Sequence, residues 1–164
     1  MLLYEDSNNK VGKHTTKNNY WKSKGIVVDR KHRLIVGDYM LDLQGKVSID
    51  TKQDIKELAT DFFCDSVRFE KECIRAKNNN IQLIFLVEEK VEERSKLLNW
   101  KCPKDINGKR FLNVSGKQIY NEMKKYVKLF GVKFRFCHKL STGKTIIDLL
   151  LEETKRLEDN EKKI

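Results

Sequence analysis

Long hydrophobic runs are missing from this chain. No apolar stretch approaches ~18 residues and no basic region followed by an apolar one opens the N-terminus, so the sequence offers neither a membrane span nor a signal peptide. A soluble, cytoplasmic protein is the expectation. Cysteine is sparse and scattered: Cys64, Cys73, Cys102 and Cys137 lie far apart with no Cys-x-x-Cys pair, which predicts reduced thiols used for packing rather than zinc ligation. The adjacent Cys137-His138 is weak evidence for a metal. Proline occurs once, at Pro103, and no internal repeat is apparent. Acidic residues are in deficit. Asp and Glu total 24 against 34 Lys and Arg, a formal charge of +10, which favours polyanionic partners and nucleic acid first, although a generally lysine-rich composition gives the same sum.

What is present describes one globular domain spanning 1–164, with 39% hydrophobic and 35% charged residues. Leu2-Leu3-Tyr4 forms a short strand ending in Glu5-Asp6. A polar loop, a helix near Thr16–Lys24 and a strand at Ile26–Asp29 follow. Ile55, Leu58, Ala59, Phe62 and Phe63 recur at helical spacing, and a second helix runs from about Ser66 to Lys77. The nearly continuous apolar run Ile81–Val87 marks a strand buried on both faces. Residues 88–114 resist assignment and are taken as a long loop or insertion. A helix over Ser115–Phe130 with Gly131 as its C-cap, a strand over Val132–Cys137, and a final helix from Thr142 to about Asn160 complete the chain, with 158–164 as a frayed tail. Interleaved strands and helices predict an α/β domain with a central mixed β-sheet flanked by helices.

Gly37 to Lys52 carries the chemistry. Alternating apolar residues suggest a hairpin in which Leu43, Gln44 and Gly45 form a three-residue loop, with Gly45 at positive φ. Asp42 then pairs with Lys46, Asp38 falls opposite Asp50, and Lys52 shares their face. Two carboxylates about 4.5–5.5 Å apart destabilise a sheet unless something positive lies between them. Hard oxygen ligands suit Mg²⁺ or Mn²⁺, and Lys52 would stand beside the metal. A two-residue loop would slip the register and turn Asp38 away. Spacing alone leaves the metal site and a solvent-facing hairpin both open.

Gly37-Asp38-Tyr39, then Asp50-Thr51-Lys52, a helix, Arg68-Phe69 and the Leu83–Val87 strand resemble the nuclease domain of XPF/Mus-type structure-specific endonucleases, of the restriction-endonuclease-like superfamily. The likeness is nearest to standalone phage-encoded members and extends to Tyr4-Glu5-Asp6 and Phe134-Arg135-Phe136-Cys137. It implies a Mg²⁺- or Mn²⁺-dependent endonuclease acting on branched, flapped or junction DNA in a bacterial or phage-infected cell, with a homodimer as a further expectation. Asp6, Asp38 and Asp50 would be metal-binding carboxylates and Lys52 the catalytic lysine, with Arg68 as a substrate contact; Lys13 and His14 are further candidate contacts from their place in the basic loop. Three features depart from the family pattern: Asp50 replaces Glu, Asn8 stands where an arginine is usual, and Glu57 matches a family aspartate only with one residue inserted.

Two rival functions remain. Ser141-Thr142-Gly143-Lys144-Thr145 follows a strand and opens a helix, as in a phosphate-binding loop of an ATPase, but His138 occupies the position of the first glycine. Ser141 and Thr142 are better read as helix caps. The other rival is a non-catalytic DNA-binding module of the same fold.

Overall fold

A computed structural model describes residues 1–9, 15–104, 106–109 and 111–162. Lys13 and His14, expected to touch substrate, lie outside the described residues. The elements in chain order are β1 (Leu2–Glu5), α1 (Thr15–Ser23), β2 (Val27–Asp29), β3 (Tyr39–Met40), β4 (Val47–Lys52), α2 (Ile55–Phe63), α3 (Ser66–Asn78), β5 (Gln82–Val87), α4 (Arg94–Leu98), α5 (Gly116–Phe130), β6 (Lys133–Phe136) and α6 (Thr142–Glu161).

The strands form one mixed sheet in the order β2-β1-β3-β4-β5-β6. β1 runs parallel to β2 and antiparallel to β3; β3 and β4 are antiparallel; β4, β5 and β6 are parallel. Period-two alternation along β5 explains the two-sided burial expected of it. Leu83, Phe85 and Val87 join Leu58, Phe62, Phe69, Ile119 and Tyr126 on the face covered by α2, α3 and α5. Ile84 and Leu86 face the other way, into a core with Leu3, Trp21, Ile49, Ile146 and Leu150 under α1 and α6. The result is three layers, helix on sheet on helix.

Local signals account for the helix ends. Ser115 caps α5 in a capping box with Gln118, and Gly131 closes it in the left-handed conformation at φ 69°. Within 88–114, the described residues hold the short helix α4 and an isolated bridge between Lys101 and Ser115. The expected frayed tail is helical as far as Glu161, whose carboxylate meets Lys46 across the fold. Cys73, Cys102 and Cys137 are buried free thiols, as expected, while Cys64 is exposed. No helix among the described residues is long and apolar enough to cross a membrane.

The phosphate-loop motif has a packing role. Gly143 lies inside α6, where a Cβ would come within 3.2 Å of Lys17 Cα and of Tyr20 on α1. Its carbonyl accepts the Trp21 indole N–H at 2.9 Å, locking α1 to α6, and Lys144 is paired with Asp148 on the surface. Ser141 does not cap α6 with its side chain but donates to the His138 carbonyl at 2.8 Å.

Candidate active site

Asp38, Asp50 and Lys52 come together on the α2/α3 side of the sheet. Tyr39 pairs with Ile49, the register that the Asp42–Lys46 pairing demands, and both residues are in the core beneath α1 and α6. Their neighbours Asp38 and Asp50 therefore face the opposite side, with Met40. The expected loop is corrected. β3 is only two residues long, residues 41–46 lie between the strands, and Gly45 does not have positive φ. Gly45 is instead demanded by the turn, in which its amide donates to the Asp42 carbonyl at 2.9 Å and a Cβ would meet that oxygen at 2.8 Å.

The left-handed glycine is Gly37, at φ 70°, where a Cβ would lie 2.4 Å from Ser48 Oγ and 2.9 Å from the Ile49 carbonyl oxygen. Beside it the Asp38 amide donates to that same carbonyl at 2.7 Å. Gly37→Ala is expected to cost about 1–3 kcal/mol from strain and overpacking, and to lower any activity of Asp38 by displacing its backbone. Chemical denaturation checks the first; a stability equal to wild type would refute it.

Asp38 is half-buried, and its Oδ2 accepts the Thr51 amide at 2.8 Å and the Thr51 hydroxyl at 2.6 Å. Burial raises its pKa despite these bonds and the nearby Lys52 and Lys17 charges. Asp50 is pushed up to about 6, by burial first and by Asp38 in addition, against the pull of Lys52. The Lys52 ammonium lies 2.7 Å from Asp50 Oδ1 and 2.9 Å from Asp61 Oδ2. Those approaches are ionic rather than aligned hydrogen bonds, so both oxygens remain buried without a directed donor. Burial pulls the Lys52 pKa down, but the two carboxylates outweigh it and hold the lysine protonated above its ordinary range. Phe69 and Phe85 place their rings 5.5 Å from the same nitrogen.

Asp6, at the end of β1, is also buried. Its Oδ1 accepts the Asn8 amide at 2.8 Å and its Oδ2 the Leu34 amide at 2.7 Å. Asp6, Asp38 and Asp50 all line one cavity of about 300 Å³, with Arg68 and Glu72. Among the described residues, however, no three carboxylate, histidine or cysteine groups converge to form a ready metal cage. Asp6 is spent on backbone amides, and Asp38 is partly spent on Thr51. The residues present do fit a hard divalent cation held by two ligands. Both carboxylates line one cavity, burial raises the proton affinity of each, and the Asp38 charge raises that of Asp50 further.

Several residues take unforeseen roles. Asp61, buried on α2, pairs with both Lys52 and the Arg68 guanidinium, the latter at 2.9 Å. Its spacing from Leu58 places it near the inward face of α2, but nothing local in the sequence marks a carboxylate as buried. Arg68 is thus tied to Asp61 and Asp65. Glu57 builds the α2 cap: its Oε2 accepts the Gln53 amide at 2.7 Å while its own amide donates to Asp54 at 2.8 Å. Glu72 accepts the Gly37 amide at 3.2 Å, and burial followed by repulsion from Asp50 pushes its pKa up to about 7. Lys17 and Glu88 form a buried pair at 2.7 Å.

No protein-family model and no curated protein matches the chain. Solved structures do. XPF from Aeropyrum pernix superposes with a TM-score of 0.65 at 17% identity, over 99% of this chain and 69% of that one. The fold is restriction-endonuclease-like. The same Aeropyrum pernix protein in complex with DNA matches with a TM-score of 0.63 at 16% identity, over 94% of this chain and 66% of that one. The chain thus spans about two thirds of the length of these solved chains, and the likeness at this identity concerns the fold.

Proposed function

We propose that this protein is a metal-dependent DNA endonuclease that hydrolyses phosphodiester bonds at branched, flapped or junction DNA, with Asp38, Asp50 and Lys52 as its catalytic group. The observation that carries the reading is the placement of half-buried Asp38 and buried Asp50 on one polar cavity, with the Lys52 ammonium 2.7 Å from Asp50 Oδ1. Support also comes from a fold shared with a protein solved on DNA and from a formal charge of +10.

A Mg²⁺ or Mn²⁺ ion held by Asp38 and Asp50 would supply Lewis-acid stabilisation and lower the pKa of attacking water. Asp38 and Asp50 are deprotonated to receive it, and Thr51 fixes the rotamer of Asp38 through two hydrogen bonds. Lys52 supplies a fixed positive charge for the developing negative charge on phosphorus oxygens. Its swing is limited by Asp61 below and the Phe69 and Phe85 rings beside it. Asp61 acts through Lys52 and is a positioning residue.

The ATPase reading loses its motif to the α1–α6 contact at Gly143. The non-catalytic module is separated by experiment. Purified protein is incubated with end-labelled flap, junction and duplex DNA in Mg²⁺, Mn²⁺ or EDTA. Cleavage in either metal and none in EDTA is the expected result; tight binding without cleavage in any metal establishes the module instead.

A further inference from the structure

Two polar cavities meet on the Asp38 side chain. The first, of about 300 Å³, holds the acidic centre and is lined also by Arg33 and Arg75. The second, of about 230 Å³, extends past Thr51 and Glu88 to Lys139, ahead of α6. Asn9 and Asp38 line both. Resting on the phosphodiesterase reading above, we propose that a nucleic-acid strand crosses both cavities, its phosphates gripped by Arg33 and Arg75 on one side of Asp38 and by Lys139 on the other.

Charge makes such grips necessary. A cavity floored by Asp6, Asp38, Asp50 and Glu72 repels a phosphodiester chain, so the strand must be held by cations at the mouths. Arg33 and Lys139 are exposed and pair with no carboxylate among the described residues. Arg75 is exposed as well, and its guanidinium donates only to the Ile35 carbonyl, at a long 3.5 Å that a phosphate oxygen readily displaces. Among the carboxylates of that cavity, Asp6 is already occupied by the Asn8 and Leu34 amides. Arg68 differs from these three: held by Asp61 and Asp65, it serves the lysine pocket rather than the strand. The expected substrate contact at Arg68 therefore passes to Arg33 and Arg75.

Fluorescence anisotropy with labelled flap DNA in EDTA, across a KCl series, tests the path independently of cleavage. Arg33→Ala, Arg75→Ala and Lys139→Ala are each expected to weaken binding several-fold and to reduce the slope of log affinity against log salt by about 0.7–0.9, one phosphate contact apiece. Exposed Lys155 on α6 is the control, and Lys155→Ala is expected to leave both unchanged. Circular dichroism confirms that each variant is folded. Rim variants that bind no more weakly than Lys155→Ala overturn the path even if the protein cleaves DNA. Rim-dependent binding without cleavage in any metal keeps the path and overturns the catalytic reading.

Discussion

Asp50→Asn is expected to reduce metal-dependent cleavage by about a thousandfold, to leave DNA binding intact, and to make the metal-free protein more stable than wild type near neutral pH. The first effect follows from the proposed function, in which Asp50 would offer its negative charge to the metal beside Lys52. The last follows from linkage. The Asp50 carboxyl rises from 3.8 to about 6 in the folded protein, through burial and the neighbouring Asp38 charge. A raised acid pKa means that the folded state holds a proton which the unfolded chain has already released. Stability from this group therefore falls as pH climbs from about 4 to 6 and stays low above that. Asparagine has no such penalty. The gap between the variant and wild type should open across that window, with the variant ahead at pH 7, as read by thermal midpoints in EDTA. A gap that closes with rising pH would show that Lys52 outweighs burial and that Asp50 is a structural ion-pair partner.

Phe85→Ala is expected to cost about 3–5 kcal/mol, the largest stability loss among the changes considered. Phe85 is fully buried on β5, stacked on Phe134 at 5.3 Å and against Phe69 at 4.5 Å. Removing it leaves a cavity between the sheet and α3, and the surrounding helices can close it only in part. Its ring also lies beside Lys52, so cleavage by the folded fraction should fall too, because the lysine gains room to leave its place between Asp50 and Asp61. Urea denaturation measures the first effect. Phe85→Leu, which refills most of the volume without an aromatic face, separates the two: stability largely recovers while cleavage stays reduced. Equal recovery of both would assign Phe85 to packing alone.

The layers of this fold were legible wherever hydrophobic periodicity decides burial. β5 announced itself as an apolar run because both of its faces are covered, and α5 by its helix-spaced apolar residues and closing glycine. The register of β3 against β4 was legible too, though through a loop that differs from the expected one: Tyr39 meets Ile49 while Gly37, rather than Gly45, takes the positive φ. That substitution of one glycine for another reflects close approach, since Gly37 sits against Ser48 and Ile49, far away along the chain. Asp61, Glu72 and the Lys17–Glu88 pair were not legible. A carboxylate or lysine on a helix carries no local sign of burial; its partner is supplied by another element, as Lys52 is for Asp61. Asp6 illustrates the converse. Its chemistry was visible, but the amides of Asn8 and Leu34 that occupy it come from loop geometry that composition does not encode.

Binding of Mn²⁺ to the free protein, followed by electron paramagnetic resonance of the unbound ion, probes the acidic centre most directly. Wild type should take up Mn²⁺ at a site lost in both Asp38→Asn and Asp50→Asn and retained in Lys155→Ala. Uptake that is identical in wild type and the two asparagine variants would contradict a metal centre at Asp38 and Asp50.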